Sequence, residues 1–325
     1  MSLSASVWNE KIPPKHGKHR DKLKKNSIGY RFRRQWRLFL FLTPGFLCFF
    51  LFSYLPMFGI VVAFQDYSPF TGFLKSPFVG FKWFTQVFTS PDFLKVISFT
   101  LRMSVSKLVI EFLPPIILAL LLNELIFVKY KRVVQTVFYL PHFLSWVVAA
   151  VIVYRVLDAD DGVLNNLLIF LHIAPSNYLA DAKYFIPITV ISDIWKEVGW
   201  GTIYFLAALT SIDMSLYEAA AVDGAGRLRQ TWHITLTGIM PTAIMLLILN
   251  VGGIVNANFD QVFNLQNPII MSDTEVINTY IYRRAMMDGA YSFSTAFGIA
   301  QGAVSFLLIY VTNRISRRFT SISIY

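Results

Sequence analysis

Six long apolar segments dominate the chain and limit what it can fold into. A helix needs roughly 20 mostly apolar residues to cross the hydrocarbon core of a bilayer. Six windows reach that length: 38–64, 104–127, 133–157, 185–209, 242–263 and 293–313. Hydrophobic residues make up 55% of the 325 and charged residues 15%, as in chains that have lipid as their solvent. The sequence predicts an all-α membrane protein with one six-helix domain at 38–313. Its helices are expected to bend, because Pro44, Pro141 and Pro187 lie inside windows.

Basic residues are distributed unevenly between the two ends of these spans. Residues 1–37 hold eleven of the 29 Lys and Arg residues. With the loops 124–132 and 211–237 and the tail 314–325, one side of the predicted membrane carries nineteen and the other eight. Cytoplasmic connections are rich in Lys and Arg, so both termini are predicted to be cytoplasmic. The basic arm is expected to contact anionic lipid. Nucleic acid is excluded as a partner, because no folded basic module accompanies the arm.

Catalytic and metal chemistry find little support in the sequence. The five histidines are scattered and form no HExxH pattern, which a zinc site on one helix face would need. No GxxxxGK[ST] loop occurs, so the chain is not expected to bind ATP through a P-loop. The single cysteine, Cys48, lies in an apolar window and cannot form an internal disulfide. We therefore assign no catalytic residue, metal or cofactor to this chain.

The second predicted cytoplasmic loop contains 217-YEAAAVDGAGRLRQTWHI-234, an unusual run of small and turn-forming residues. Ser215 and Glu218 have the spacing of a capping box, which predicts a helix start. Three consecutive alanines favour the helix and leave a face with little side-chain bulk. Gly224 can end the helix in a left-handed conformation, and Gly226 keeps the following corner flexible. The loop therefore predicts a short helix at about 215–224.

Two interpretations of this helix are open. It could be an amphipathic connector lying among lipid headgroups, but such helices usually combine large apolar residues on one face with Lys and Arg on the other. The face at 219–221 is alanine instead. A bare alanine face permits close approach by another protein, which favours docking.

The loop resembles the EAA motif of the permease subunits of binding-protein-dependent ABC importers. Glu218-Ala219-Ala220 is separated by three residues from Gly224, and nine further residues precede Ile234-Thr235-Leu236. The resemblance implies a type I importer permease core whose coupling helix sits in a groove of a separate ATPase. It assigns this coupling to Ser215, Glu218, Ala219, Ala220, Ala221, Asp223, Gly224 and Arg227. The family pattern ends in Leu-Pro, whereas Thr237 follows Leu236 here, so the start of span five stays open.

Two more stretches narrow the resemblance. Both 252-GGIVNANFDQVFNLQNP-268 and the YSFSTAFGIA stretch at 291–300 are similar to the oligosaccharide and polysaccharide branch of these importers. The chain as a whole is similar to the permeases of alginate importers. The implied partners are a second homologous permease forming a heterodimer, two copies of a cytoplasmic ATPase that binds ATP and Mg, and a periplasmic solute-binding protein. The implied cargo is an anionic oligosaccharide, and the implied location is the bacterial cytoplasmic (inner) membrane.

Ionisable residues inside the apolar windows are candidates for the cargo path, because they are costly there without a function. In span four, Lys196 is expected to meet a sugar carboxylate, and Trp195 or Trp200 to stack on a sugar ring. The competing interpretation, which the spacing favours, is a structural ion pair between Asp193 and Lys196, because they share a helix face at i, i+3.

Span five and its outer end carry four polar residues that a continuous helix would place on one stripe. They are Asn256, Asp260, Asn264 and Asn267. Such a stripe suits a water-filled path for hydroxyl-rich cargo, and hydrogen bonding between helices is the competing role, at about 0.6 kcal/mol each. In span two, Lys107 and Glu111 are expected to pair with each other.

The sequence favours the membrane-spanning subunit of an ATP-driven oligosaccharide importer that has no enzyme activity of its own. An ion-coupled secondary transporter of sugars is the alternative, and it would be marked by broken helices in paired repeats. An intramembrane enzyme is a third class, and the scattered polar residues give it little support.

Overall fold

The computed structural model describes residues 28–319. In that range it is helical, and its β-structure is limited to an isolated bridge between Gln65 and Phe78. The predicted arm 1–37 lies mostly outside the described residues, as does the end of the tail 314–325. The chain forms two compact units, one ending at Ile60 and the other beginning at Val61. The predicted all-α class is confirmed.

The first unit ends within a run of three consecutive helical segments. Helix α1 spans Ile28–Phe49 and is followed by a π-helical turn, Phe50–Tyr54, and a 3₁₀ segment, Leu55–Phe64. Large apolar side chains cover it, with Phe41 84% and Phe52 79% exposed. Exposure on this scale indicates a surface that faces lipid or another apolar surface.

The second unit contains the remaining helices. In chain order they are α2 Gly72–Lys75, α3 Lys82–Thr89, α4 Pro91–Glu111, α5 Leu113–Glu124, α6 Val128–Tyr139, α7 Trp146–Leu157, α8 Val163–Phe170, α9 Phe185–Thr210, α10 Met214–Val222, α11 Arg227–Gln230, α12 Leu236–Gly252, α13 Phe259–Leu265, α14 Met271–Thr274, α15 Ile277–Met286 and α16 Tyr291–Phe319. Five short helices lie in the connections on the predicted outer side of the membrane. They are α2 and α3 between spans one and two, α8 between spans three and four, and α14 and α15 between spans five and six.

Membrane-crossing stretches agree with the predicted number of spans. Four stretches are long and apolar enough as they stand: Trp36–Phe64, Pro91–Glu124, Arg227–Gly252 and Tyr291–Arg314. Two further crossings follow if each of two bent pairs counts as one span: Val128–Phe143 with Trp146–Leu157, bent by 105°, and Ala182–Thr210 with Met214–Val222, bent by 68°. The chain is thus a multi-pass membrane protein with up to six spans in its described part. The side of the membrane on which each terminus lies stays a prediction.

Two predicted windows have the wrong limits. Span two begins at Pro91 rather than at 104, and a proline in the first turn suits a helix start because its missing N–H has no partner there. Span five ends at Gly252 rather than at 263. After it, Ala257 and Asn258 adopt left-handed conformations with φ of 40° and 38°, which a continuous helix cannot contain.

The helix α9 packs closely against its neighbours because glycines lie at the crossings. A Cβ atom built on Gly199 would lie 2.1 Å from the Phe138 carbonyl oxygen, and one on Gly201 would lie 3.0 Å from Cγ of Pro115. Small residues let helix backbones approach in membranes, where packing stabilises association. The span-four helix is therefore held between α5 and α6.

Candidate coupling surface and transport cavity

Helix α10 corresponds to the predicted coupling helix, but its N-terminal cap differs from the prediction. Asp213 is the N-cap residue, and its Oδ1 accepts the backbone N–H of Ser215 at 2.9 Å. This hydrogen bond holds the pKa of the Asp213 carboxyl below its usual value. The predicted capping box of Ser215 and Glu218 is wrong, because the carboxylate two residues earlier occupies the cap position.

The C-terminal end of α10 has the geometry that the glycine predicted. Gly224 has φ of +75°, its N–H donates to the Ala221 carbonyl at 3.1 Å, and the N–H of Ala225 donates to the Ala220 carbonyl at 2.9 Å. These two bonds form a Schellman motif, which satisfies carbonyls at the helix end. Asp223 is the C-cap residue, and its N–H reaches the Ala219 carbonyl. The helix is therefore closed at both ends by its own sequence.

We call the exposed residues of 214–224, together with Leu228, the coupling surface. Ala219 and Ala221 are exposed on it. Larger apolar side chains surround them, with Val222 87% and Leu228 89% exposed. Glu218 is also exposed, and it makes no hydrogen bond or ion pair within residues 28–319. An apolar surface with small residues and one unpaired carboxylate is typical of a docking site.

A hydrogen bond connects the coupling surface to span five. The hydroxyl of Tyr217 lies 3.0 Å from that of Thr235, in the π-helical segment Thr231–Thr235 that leads into α12. Arg227, predicted to couple, lies 3.6 Å from Glu124 with both side chains largely exposed, so this ion pair contributes little. Thr237 lies in the first turn of α12, and span five therefore starts without the family proline.

A cavity of about 460 Å³ lies among α4, α5, α9, α12 and the break after span five. This volume is within the range of small-molecule sites. Its polar lining residues are Ser104, Lys107, Glu111, Asp193, Glu197, Trp200, Tyr204, Asn250 and Asn258. Of the predicted path residues, Trp200 is part of the lining, whereas Trp195, Lys196, Asn256, Asp260, Asn264 and Asn267 are not.

The strongest polar cluster at the cavity is centred on Lys107. Its Nζ lies 2.5 Å from Oδ2 of Asp193 and 2.5 Å from Oε1 of Gln261, and 3.8 Å from Oε1 of Glu111. Gln261 is fully buried and also donates to the Thr189 carbonyl at 2.7 Å. The predicted pairing of Lys107 with Glu111 is confirmed, but Asp193 is the closer partner.

The predicted ion pair between Asp193 and Lys196 is wrong. Lys196 Nζ instead donates to Glu197 at 2.7 Å and to the carbonyl of His142 at 2.9 Å. The His142 ring stacks on Trp200 with centroids 4.3 Å apart, and its Nδ1 lies 2.6 Å from Glu197. The neighbouring Glu197 on α9 and the His142 carbonyl at the bend of span three thus replace the i, i+3 neighbour. They also leave Lys196 only 5% exposed, buried away from the lining.

The predicted polar stripe of span five does not exist as one helix face, because the chain breaks between Gly252 and Phe259. Asn256 lies in the break, where its carbonyl accepts a hydrogen bond from Asn278 at 2.6 Å and its Oδ1 one from Gln301 at 3.2 Å. Asp260 and Asn264 lie on the separate helix α13. Asn267 follows that helix and donates to the Leu179 carbonyl at 2.7 Å.

Three residues of these clusters were missing from the predicted site: Lys107, Gln261 and His142. The signal for Lys107 was present, since an ionisable residue within a span is a functional candidate in its own right. Gln261 lay in the polar run of span five, but its direction depends on the break. His142 follows Pro141 in a window, and only the bend of span three brings it to Trp200.

Comparison with known proteins defines the class. Residues 112–321 match the family described as "Binding-protein-dependent transport system inner membrane component". This range is well over half of the chain and includes the coupling surface and most of the cavity lining. The chain therefore belongs to this family, the permease subunits of binding-protein-dependent ABC importers, and the predicted resemblance is confirmed.

Several proteins similar to this chain are named for the transport of saccharides. Over 287 residues it is 46% identical to protein LplB of Bacillus subtilis (strain 168), covering 88% of this chain and 90% of that one. Over 304 residues it is 42% identical to the polygalacturonan/rhamnogalacturonan transport system permease protein YteP of the same organism, covering 94% and 95%. A crystal structure of a bacterial alginate ABC transporter, in complex with a periplasmic protein bound to alginate pentasaccharide, superimposes with a TM-score of 0.83 at 36% identity, covering 91% of this chain and 99% of that one. The chain is thus a permease of a sugar or polysaccharide ABC importer.

Proposed function

We propose that this chain is one of two membrane subunits of an importer for acidic oligosaccharides. A separate ATPase docks on the coupling surface and supplies the energy. The observation that carries this proposal is the geometry of α10: a helix capped at both ends, with exposed alanines, an unpaired Glu218 and a hydrogen bond to span five through Tyr217. Closure of the ATPase would move α10, and the movement would reach the cavity through α12, which forms one wall.

Acidic polysaccharide is the proposed cargo because two similar proteins handle polyuronates. One of them is named for polygalacturonan and rhamnogalacturonan, and another similar structure belongs to an importer of the acidic polysaccharide alginate. Trp200, stacked on His142 at the cavity, is the residue we propose to stack on a sugar ring. We propose a structural role for Lys196 in place of the predicted contact with a sugar carboxylate. Its ammonium group pairs with Glu197 and donates to the His142 carbonyl at the bend of span three.

The proposed assembly follows the predicted partners. A homologous permease completes the path as a heterodimer, a periplasmic binding protein delivers the cargo, and the ATPase dimer binds ATP and Mg. The complex lies in the bacterial inner membrane, with both termini of this chain in the cytoplasm. This chain contributes no catalytic group to hydrolysis, and docking on α10 is its share of the ATP cycle.

The test is ATPase activity of the intact complex. The chain is purified in lipid nanodiscs with the subunits that copurify, and hydrolysis is measured with binding protein and either alginate or polygalacturonate oligosaccharides. Neutral maltooligosaccharides are the matched control. We expect acidic oligosaccharides, but not neutral ones, to stimulate ATP hydrolysis in the presence of the binding protein. Stimulation by neutral oligosaccharides alone would refute the cargo, and sugar uptake without an associated ATPase would favour an ion-coupled transporter.

A pair of substitutions tests the docking surface separately. Ala221→Trp places a large ring on the coupling surface and is expected to remove the ATPase during purification or to abolish stimulated hydrolysis. Ala159→Trp is the control, because Ala159 is equally an exposed alanine but lies in the loop between α7 and α8. Equal ATPase retention in both variants would show that α10 is not the docking site.

A further inference from the structure

Two carboxyl groups at the cavity contain buried oxygens that receive no hydrogen bond from any residue in the described range 28–319. Asp193 on α9 is 8% exposed, and its Oδ1 has no partner. Glu111 on α4 has an equally buried Oε1 without one, and both carboxyl groups lie beside the ammonium group of Lys107. An ionised carboxylate can only accept hydrogen bonds. If both groups were ionised, neither oxygen would have a donor among the described residues, which is unfavourable in a buried site.

The charges of the cluster do not balance if both groups are ionised. Lys107 is the cation that contacts them, with Asp193 Oδ2 at 2.5 Å and Glu111 Oε1 at 3.8 Å. Lys196 cannot supply the missing charge, because it pairs with Glu197 at 2.7 Å. Among residues 28–319, two carboxylates beside Lys107 therefore leave a net charge of minus one at membrane depth, where a charge without a partner is costly.

The remaining groups around the cluster do not change this balance. From α9, Tyr204 lines the same cavity as a neutral phenol. From α12 and α13 the facing side chains are the amides Asn250 and Gln261, which carry no charge. Gln261 accepts from Lys107 through its oxygen and gives its N–H groups to Thr189 and Ser192. It therefore has no donor left for either carboxyl group.

We propose that Glu111 and Asp193 bind one proton between them, which makes the cluster with Lys107 electrically neutral. One O–H bond forms on a carboxyl oxygen as one O–H bond of a hydronium ion in the solvent breaks, and a water molecule is left. The proton adds a donor to two carboxyl groups that otherwise contain only acceptors, and it removes one of the two negative charges beside Lys107. A metal cation fits this position poorly, because the ammonium group of Lys107 contacts both carboxyl groups and would repel it.

The consequence for transport rests on the proposed function. An acidic sugar that enters the cavity would meet a neutral cluster instead of a negative one. Without the proton, the lining would repel the carboxylates of the cargo, because like charges in a low-dielectric site interact strongly. The bound proton is therefore a condition for passage of anionic cargo, whereas neutral sugars would not need it.

Infrared spectroscopy tests for the proton without any transport assay. The complete chain, with the subunits that copurify, is measured in nanodiscs at fixed neutral pH, in H₂O and in D₂O. A protonated carboxylic acid has a carbonyl band apart from those of carboxylates, and the band shifts in D₂O. We expect this band in the difference spectrum between the native protein and Glu111→Gln. The matched control is Glu124→Gln, which changes an exposed carboxylate paired with Arg227 and should leave the band in place.

Two further variants use the charge balance and do not depend on whether Glu111→Gln folds. Asp193→Asn leaves one carboxyl group for Lys107, so Glu111 should ionise and the band should disappear although Glu111 is intact. Lys107→Met leaves two carboxyl groups without a cation, so a second proton should bind and the band should grow about twofold. An unchanged band in both variants would overturn the proposal, and so would a band that responds to Na⁺ at constant pH. Neither result would affect the docking of an ATPase on α10.

Discussion

Replacing Gly199 with alanine tests whether the close crossing of α6 and α9 positions the cavity. The added Cβ would lie 2.1 Å from the Phe138 carbonyl oxygen, whereas ordinary contacts begin at 3.4 Å. One helix must therefore move by about 1.3 Å, the difference between these two distances. Overpacking of this kind costs about 1–3 kcal/mol. The same movement would stretch the hydrogen bond from Lys196 to the His142 carbonyl, now 2.9 Å, and add to the loss.

The assay is unfolding in mixed micelles with increasing denaturing detergent, followed by helix content, for the native chain and two variants. Gly199→Ala is expected to lose a few kcal/mol of unfolding free energy and to weaken cargo-stimulated ATPase activity. Gly298→Ala is the matched control, since Gly298 is also helical and its added Cβ has nothing within 4 Å. It should be neutral or stabilise the chain by up to about 1 kcal/mol through helix propensity. Equal stability of the two variants would refute the role of the crossing.

Three further outcomes are expected. Gly224→Ala should lower the free energy of unfolding by about 1 kcal/mol and weaken ATPase coupling, because φ is +75° at this residue. Gly226→Ala is the control and should do neither, because φ is −67° there. Equal coupling in the two variants would argue against the C-terminal cap. Asp213→Ala should speed hydrogen exchange across α10. In the native chain the pKa of Asp213 is lowered. The stability that this cap contributes is therefore fully present above the ordinary pKa of 3.8 and is lost only as the pH falls through the lower pKa of the folded state. Loss of protection near neutral pH would contradict the capping role of Asp213. Gln261→Leu, which removes a buried partner of Lys107, should destabilise by about 1–3 kcal/mol in the micelle assay, and no change would contradict the cluster.

Local sequence signals predicted the coupling helix well because its ends depend on nearby residues. Alanines formed the helix, and Gly224 closed it in the left-handed conformation as expected. The start was placed on the wrong residue because Asp213 and Ser215 are both good caps, and sequence spacing alone does not decide between two candidates two positions apart.

Longer-range contacts were less predictable. Spacing along span four suggested a bond between Asp193 and Lys196, but Lys107, on another helix, approaches Asp193 to 2.5 Å. The break after span five was also missed. A left-handed conformation at Ala257 and Asn258 is held by tertiary contacts, among them the bond from Gln301 to the Val255 carbonyl at 3.0 Å, and neither residue type marks such a break by itself.

The break after span five separates two helices with different roles at the cavity: α12 contributes lining residues, whereas α13 contacts the polar cluster through Gln261. Before the break, Leu246 and Asn250 belong to α12. This helix is connected to the coupling helix by the hydrogen bond between Tyr217 and Thr235. After the break, Gln261 on α13 forms hydrogen bonds with Lys107 and with the Thr189 carbonyl. A twist of α12 would move Leu246 and Asn250 relative to the rest of the lining and reshape the cavity, while the polar cluster stays where it is. Because of the break, a movement of the coupling helix would reach α12 without being passed on to α13.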